Sequence, residues 1–152
     1  MNLPDQEAIG VIDRKTGAVT KWKIPGHSNT HAMALDEANH RLFTAALQPG
    51  RFGVVDSNSG AIVASLPCVL GVDDLWFDAA RKRIYAPGSG AIDVFQQIDA
   101  DHYVAVAHVA VAAGAGSTSL HLKTRTQDSL FMSLPNMLAQ GGSEVLLFYV
   151  NE

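Results

Sequence analysis

Short apolar runs separated by polar turns fill the sequence, and they carry no sustained helical periodicity. Residues 52–55 and 145–149 are apolar at successive positions, so both faces of each predicted strand are apolar. Strands of this kind lie between two covering layers, whereas a sheet with one face in water alternates apolar and polar residues. The pattern predicts an all-β chain of short, enclosed strands.

Two phrases of the sequence return after about 42 residues. Residues 9–13 resemble residues 52–56, and residues 34–43 resemble residues 76–85. A repeat of about 40 to 50 residues with four short strands has the length of a β-propeller blade. We therefore predict a partial β-propeller of about three and a fraction four-stranded antiparallel blades, in one domain.

The predicted blade pieces are residues 9–25, 30–67, 73–110 and 117–150. The first piece is interpreted as a third and a fourth strand, at residues 9–13 and 19–24, and the last piece lacks its fourth strand. The chain is therefore predicted to be the C-terminal part of a larger propeller, or half of a ring formed by two copies.

Aspartates follow the strands at regular places and predict the turns. Asp13 and Asp56 each begin an Asp-x-x-x-Gly sequence, in which the glycine takes the positive φ that other residues resist. Asp36 and Asp78 stand at the predicted turns between the first and second strands of their blades. These turns divide the chain into antiparallel hairpins.

The composition limits the classes of binding partner that we expect. The 152 residues are 47% hydrophobic and 17% charged, with a net charge of -4, which favours a globular chain and disfavours nucleic acid or an anionic membrane as partner. The first residues lack the pattern of a signal peptide, and no apolar run reaches the ~18 residues of a membrane span. As given, the chain would stay in the cytoplasm where it is made, and the native compartment stays open. The single cysteine, Cys68, is interpreted as a small buried hydrophobe.

The repeat resembles the YVTN-type (YncE-like) β-propeller proteins of bacteria. The resemblance rests on residues 31–36 (His-Ala-Met-Ala-Leu-Asp), residues 73–85, and the Ser-Thr-Ser-Leu phrase at residues 117–120. It implies a propeller, most often of unassigned activity, whose longer relatives are exported to the periplasm or secreted. It also implies that an N-terminal half is absent here, and that an N-terminal strand would close the last blade.

Ligands of propellers usually bind near the axis, where the innermost strands begin. The candidate ligand-binding residues at this channel mouth are His31, Asp73, Asp74 and Thr118. A histidine and carboxylates that converge there could hold a divalent cation, similar to the axial sites of gluconolactonase/regucalcin propellers. The alternative is that these side chains cap strand ends through backbone amides.

Three functional hypotheses remain open. The first is a non-enzymatic binding or scaffold propeller without a cofactor, favoured because the sequence contains no Gly-x-Ser-x-Gly, His-Glu-x-x-His or Cys-x-x-Cys motif. The second is a metal-dependent, lactonase-like hydrolase with an axial site. The third is a piece without independent function, unless two copies close a ring head to tail, with a strand of one completing the last blade of the other in a ring of roughly six blades.

Overall fold

A computed structural model describes residues 1–111, 118–121, 129–134 and 144–150. Within them the chain forms β-strands and one 3-10 helix, Pro4–Gln6, and it contains no α-helix. The strands make four antiparallel sheets that follow one another along the sequence, and we name these sheets blades I to IV. The predicted all-β fold of propeller blades is confirmed.

Among the described residues, blades I and IV have three strands each and blades II and III have four, in each case paired in sequence order. The strands of blades I and II are β1 (Asn2–Leu3), β2 (Ala8–Ile12), β3 (Val19–Lys23), β4 (Thr30–Asp36), β5 (Arg41–Ala46), β6 (Arg51–Asp56) and β7 (Ile62–Pro67). The strands of blades III and IV are β8 (Trp76–Asp78), β9 (Arg83–Gly88), β10 (Ala91–Gln97), β11 (Tyr103–Ala110), β12 (Thr118–His121), β13 (Ser129–Leu134) and β14 (Glu144–Tyr149).

Blade I has one strand more than the sequence predicted. Strand β1 pairs antiparallel with β2, and the backbones of Met1 and Gly10 exchange hydrogen bonds of 2.8 Å in both directions. The prediction of a two-stranded start was wrong because β1 is too short to show a strand pattern. Contacts with the next blade help to hold it, since the Asn2 amide donates to the backbone carbonyls of His31 and Ala32.

The predicted aspartate turns are present. The Asp13 carboxylate accepts the backbone N–H groups of Lys15 and Thr16 at 2.8 Å, and Gly17 follows with a φ of 74°. Asp56 and Gly60 repeat this arrangement, with a φ of 79° at the glycine. These backbone hydrogen bonds lower the pKa of both carboxyl groups, because they favour the charged form.

The core lies between blades rather than within one. Phe43 and Phe52 of blade II pack against blade III, where the Phe95 ring stacks on Phe52 with centroids 4.3 Å apart. The Tyr103 ring packs edge-on against the rings of Phe43 and Phe52, and the ring centroids of Phe77 and Phe43 lie 5.1 Å apart. Aromatic pairs in these orientations add to the stabilisation that burial gives.

Similar clusters join the other blades. Ile9, Ile24, Leu42 and Val55 are buried between blades I and II. Tyr85, Ile92, Val94 and Val150 are buried between blades III and IV, with Trp76 against them. The sequence repeat gives Trp76, Phe77, Tyr85 and Phe131 equivalent strand positions and so predicts that they pack between blades. This is confirmed for Trp76, Phe77 and Tyr85, and the side chain of Phe131 lies outside the described residues.

One arginine also ties blade II to blade III. The Arg41 guanidinium donates to the Asp56 carboxylate at 2.7 Å, within its own blade. It reaches across to Asp101 at 2.6 Å and to the Ala100 carbonyl at 3.0 Å, in the turn before β11. These bonds raise the pKa of Arg41 further and fix the position of the outer strand of blade III.

No helix in the described part of the chain is long and apolar enough to cross a membrane.

Candidate functional site

The channel mouth is formed where the inner strands begin, and His31 lies there on β4. Its side chain is exposed, and the ring Nε2 lies 3.1 Å from the Asn29 Oδ1. Strand β4 contacts β1 on one side and β8 on the other, so the inner strands of three blades are neighbours. This is the arrangement expected around a propeller axis.

The other predicted ligand-binding residues lie at the corresponding ends of blades III and IV. Asp73 is exposed and Asp74 is half-buried, and both precede β8, between the buried side chains of Val72 and Leu75. Thr118 is the first residue of β12 and pairs with Met132, but its side chain lies outside the described residues. Asp73, Asp74 and Thr118 therefore stand before or at the start of inner strands.

The described residues contain no group of three or more His, Cys, Asp or Glu side chains that could hold a metal ion. His31, Asp73 and Asp74 thus form no metal-binding cluster of that size within this part of the chain. The axial metal site stays a prediction, and no specific observation favours a metal-dependent hydrolase.

Cys68 has none of the properties of a catalytic thiol. Burial, together with the nearby negative charge of Asp93, raises its pKa to about 12, so the thiolate is disfavoured at neutral pH. The side chain packs against the core between blades II and III. Cys68 was predicted to be a small buried hydrophobe; it packs against the core as predicted, but it is only partly buried.

A polar contact that the sequence did not predict joins His27, in the segment before blade II, to blade II. The His27 ring is buried, with Nδ1 3.3 Å from the Pro25 carbonyl and Nε2 3.2 Å from the Ser65 hydroxyl. It fits because Gly53 leaves room, since a Cβ there would overlap the ring. Burial lowers the pKa of His27, and the charge of Arg51 lowers it further.

Blade III has a polar contact at the equivalent position, and different residues form it. Strand pairing matches Gly53 and Ser65 with Asp93 and His108. The Asp93 carboxylate lies 2.6 Å from the His108 Nδ1 and accepts the Val69 N–H at 2.6 Å. In blade II the polar contact joins the connecting segment to β7, and in blade III it joins the connecting segment to β10 and, through Asp93, to β11. We assign these groups a structural role.

An apolar groove of about 450 Å³ lies between blades III and IV. Its lining residues are Arg83, Tyr85, Ile92, Val94, Val106, Ala107, Val109, Phe148, Tyr149 and Val150. Strand β11 forms one wall and β14 forms the other. The sequence predicted that the last blade would lack a fourth strand, and three strands of blade IV lie within the described residues. The sequence did not predict a groove between blades III and IV.

Comparisons with known proteins identify the fold. No family model and no curated protein matches the sequence. Among solved structures, hydrazine synthase from Kuenenia stuttgartiensis superposes with a TM-score of 0.76 at 15% identity, over 94% of this chain and 40% of the other. The Cps50 (Swd1) β-propeller domain from Myceliophteria thermophila gives 0.57 at 11% identity, over 93% and 53%.

A protein from Bacteroides uniformis, provisionally assigned as a 6-phosphogluconolactonase, gives a TM-score of 0.52 at 11% identity, over 91% of this chain and 49% of the other. At these identities the likeness extends to the fold alone. The chain spans between 40% and 53% of the length of these three structures. It has the fold of a partial β-propeller.

Proposed function

We propose that this chain is an arc of a YncE-like propeller that acts as a non-enzymatic binding scaffold, and that a second copy closes its ring. The observation that carries the proposal is a set of exposed apolar side chains on the outer face of each end blade. Exposed apolar residues at the two ends of a propeller arc are what ring closure would cover.

The outer face of blade I is the one turned away from blade II. Ile9 and Val11 pack toward blade II, so Ile12, which alternates with them along β2, faces outward. Its strand partner Val19 is also exposed, and so is Met1, which packs over Gly10. These residues form a small exposed apolar patch, with no covering blade among the described residues, and the exposed side chains of Lys21 and Lys23 lie beside it on the same face.

Blade IV ends the arc in the same way. Phe148 packs toward blade III, so its neighbour Leu147, which is 43% exposed, faces outward along β14. Tyr149, which is 59% exposed, borders the groove between blades III and IV. The outer faces of blades I and IV could therefore pack against each other, head to tail, in two copies. Because blade I already has three strands, this ring needs no strand exchange and would contain roughly eight blades, in place of the roughly six predicted from the sequence.

The closed ring would place several inner strand starts around one axis. His31, Asp73, Asp74 and Thr118 are the residues we propose for ligand contact there, with a peptide, a sugar or a protein as ligand. The partial coverage of the matched structures supports an arc that is completed by other blades.

Light scattering on a sizing column tests ring closure. The proposal predicts a particle of twice the chain mass of 16.2 kDa at micromolar concentration. Val19→Asp or Leu147→Asp should give monomers, because each places a charge in the proposed interface. Ile98→Asp is the matched control, since Ile98 is 56% exposed in the turn between β10 and β11 of blade III, outside the outer faces of both end blades. A monomeric parent protein, or three variants of equal mass, would contradict the proposal.

A further inference from the structure

The backbone of β4 is irregular at His31, the exposed histidine of the channel mouth. The register of β4 against β5 shifts between Thr30 and Met33. Within this irregular stretch the Asn2 amide donates to the carbonyls of His31 and Ala32, at 2.9 and 3.1 Å. A bulge in a strand changes the direction of a side chain. Here the contact with Asn2 holds the backbone of the bulge in place.

The side chain of Asn29 orients the His31 ring. The Asn29 Oδ1 lies 3.1 Å from the His31 Nε2. An amide oxygen only accepts hydrogen bonds, so the proton of the neutral ring is on Nε2, and the second nitrogen, Nδ1, is left as an acceptor. The backbone of Asn29 is also held, because its N–H donates to the Pro4 carbonyl at 3.1 Å and its carbonyl accepts the Leu47 N–H at 3.3 Å.

Asn29 has a backbone conformation that favours glycine, with a φ of 55°. The hairpins that begin with β4 and β8 have the same pairing, so counting back along these two strands matches Asn29 with Gly71 and His31 with Asp73. Gly71 has a φ of 68°. Asparagine tolerates this conformation better than most residues do, but less well than glycine. The backbone therefore accounts for glycine at position 71, and the contact with His31 accounts for asparagine at position 29.

His31 and Asp73 offer hydrogen-bond acceptors at matching positions of neighbouring inner strands. Strands β4 and β8 contact each other, and both side chains are exposed. The neutral His31 ring offers Nδ1, and Asp73 offers a carboxylate, which accepts hydrogen bonds and carries a negative charge. This pair suits a group that is positively charged and donates several hydrogen bonds, which is the chemistry of a primary ammonium group.

We propose that Asn29 is a positioning residue that holds His31 in the Nε2–H form, and that His31 and Asp73 together bind the primary ammonium group of a ligand. The proposal rests on the proposed function, because it names the chemistry of the ligand at the channel mouth. The ammonium group belongs to a peptide N-terminus or to an amino sugar. Asn29, His31 and Asp73 lie in one chain, so this site does not need a closed ring.

Nuclear magnetic resonance shows directly which nitrogen of His31 is protonated. Proton–nitrogen correlation spectra of the imidazole rings are recorded at about pH 8, where exposed histidines are neutral. We expect the Nε2–H form in the parent protein and in Asn29→Asp, which keeps an acceptor oxygen. Asn29→Gly should give a mixture of both forms while the Tm stays nearly unchanged, because glycine suits the positive φ. His102 is the internal control: its Nδ1 lies 2.8 Å from the Asp99 Oδ1, so it should show the Nδ1–H form in every variant.

Triglycine amide and glucosamine are the probes for the two sources of the ammonium group. Their N-acetylated forms, which lack that group, are the controls. At about pH 7, where an α-amino group is largely charged, a bound probe should shift the His31 ring signals until they saturate. Binding of triglycine amide alone identifies a peptide N-terminus, and binding of glucosamine alone identifies an amino sugar.

Protein variants locate the ammonium site. Asp73→Asn should weaken binding about tenfold or more, because the charged acceptor is lost. Asn29→Gly should weaken it about three- to tenfold, because the neutral acceptor on His31 is no longer oriented. Glu37→Gln is the matched control, since it removes the same charge from an exposed residue just after β4, at the opposite end of that strand.

Four results would overturn the proposal: an Nδ1–H ring at His31 in the parent protein; the same form of that ring in Asn29→Gly; equal binding of the probes and their N-acetylated forms; or no saturable shift at about 10 mM of either probe, a concentration that detects millimolar dissociation constants. Repeating both measurements on Val19→Asp, which carries its charge on blade I, separates this site from ring closure. Unchanged binding in a monomeric variant supports the site even if the protein never forms a ring.

Discussion

The stacked pair of Phe52 and Phe95 allows a direct test of where the stability of the arc resides. Phe95 is fully buried, and its ring lies nearly parallel to that of Phe52, at 12°. Replacing Phe95 with alanine removes the ring from the largest inter-blade core and leaves a cavity. Truncation of a buried phenylalanine costs about 3–5 kcal/mol, which is a large part of the about 5–15 kcal/mol by which a domain is stable.

Phe148 provides the matched control. It takes the place of Phe95 in the next blade, on β14, but it is only partly buried and lines the open groove. Phe148 buries less apolar surface on folding than Phe95 does, so Phe148→Ala should cost about 1–2 kcal/mol. The two variants remove the same atoms, and their difference measures the effect of the covering outer strand.

Urea unfolding followed by circular dichroism gives both free energies, provided that the dependence on urea concentration is the same in the two variants. For a chain of this size we expect a fall in Tm of about 6–20 °C for Phe95→Ala, at about 2–4 °C per kcal/mol. A loss below about 1 kcal/mol for Phe95→Ala, or equal losses for the two variants, would refute the inference that the blade II–III interface holds the arc together.

Two further substitutions test local features. His27→Gln should remove a pH dependence of stability. Because the pKa of His27 is lowered in the folded chain, its contribution to stability is complete above the ordinary pKa of 6.5 and is lost as the pH falls below that value. The difference in unfolding free energy between parent and variant, measured by urea unfolding from pH 8 to 5, should therefore change with pH, and a constant difference would count against a buried neutral ring. Gly17 and Gly60 both have positive φ, but a Cβ at Gly60 would overlap the Trp22 ring whereas none is near at Gly17. Gly17→Ala should cost about 1–2 kcal/mol by thermal unfolding and Gly60→Ala about 1–3 kcal/mol more, and equal costs would exclude the contact with Trp22.

The features that repeat are those that the sequence predicted. Phe43 and Tyr85 recur because each blade buries the same strand against the next, and Asp13 and Asp56 recur because each hairpin needs the same turn. Repetition makes such positions visible in a single sequence. Strand β1 was missed because two residues show no period, and its hydrogen bonds to β2 and β4 are made only in the folded chain.

The polar contacts at the outer strands and the groove between blades III and IV were not predicted from the sequence, for a different reason. His27 with Ser65 and Asp93 with His108 serve matching places through different residues, so no repeated phrase marks them. The groove is lined by residues of β11 and β14, which are separated in sequence by the connection between two blades. Both features depend on which surfaces meet, and strand patterns do not contain that information.

The residues at the predicted channel mouth differ from blade to blade. This difference suggests how their two interpretations, ligand contact and capping of strand ends, can be separated. His31 and Asp73 stand at matching positions before or within the first strands of blades II and III, and both are exposed. The nearby turn aspartates, Asp36 and Asp78, are the same in both blades and are buried. A position that the fold requires is kept from blade to blade, whereas a position that contacts a ligand is free to differ.

If His31 and Asp73 serve the ligand, then His31→Ala and Asp73→Ala should change the free energy of unfolding by no more than about 0.5 kcal/mol, as surface substitutions do. If they cap strand ends, each should cost about 1 kcal/mol or more, because a backbone amide would lose its acceptor. Asp36→Ala is the reference for a structural aspartate, since Asp36 accepts from Asn39 at 2.7 Å and from Gln97 at 2.8 Å, and should lower the stability clearly. Losses in His31→Ala and Asp73→Ala that equal the loss in Asp36→Ala would assign the channel mouth to the scaffold and remove the residue-level basis of the binding proposal.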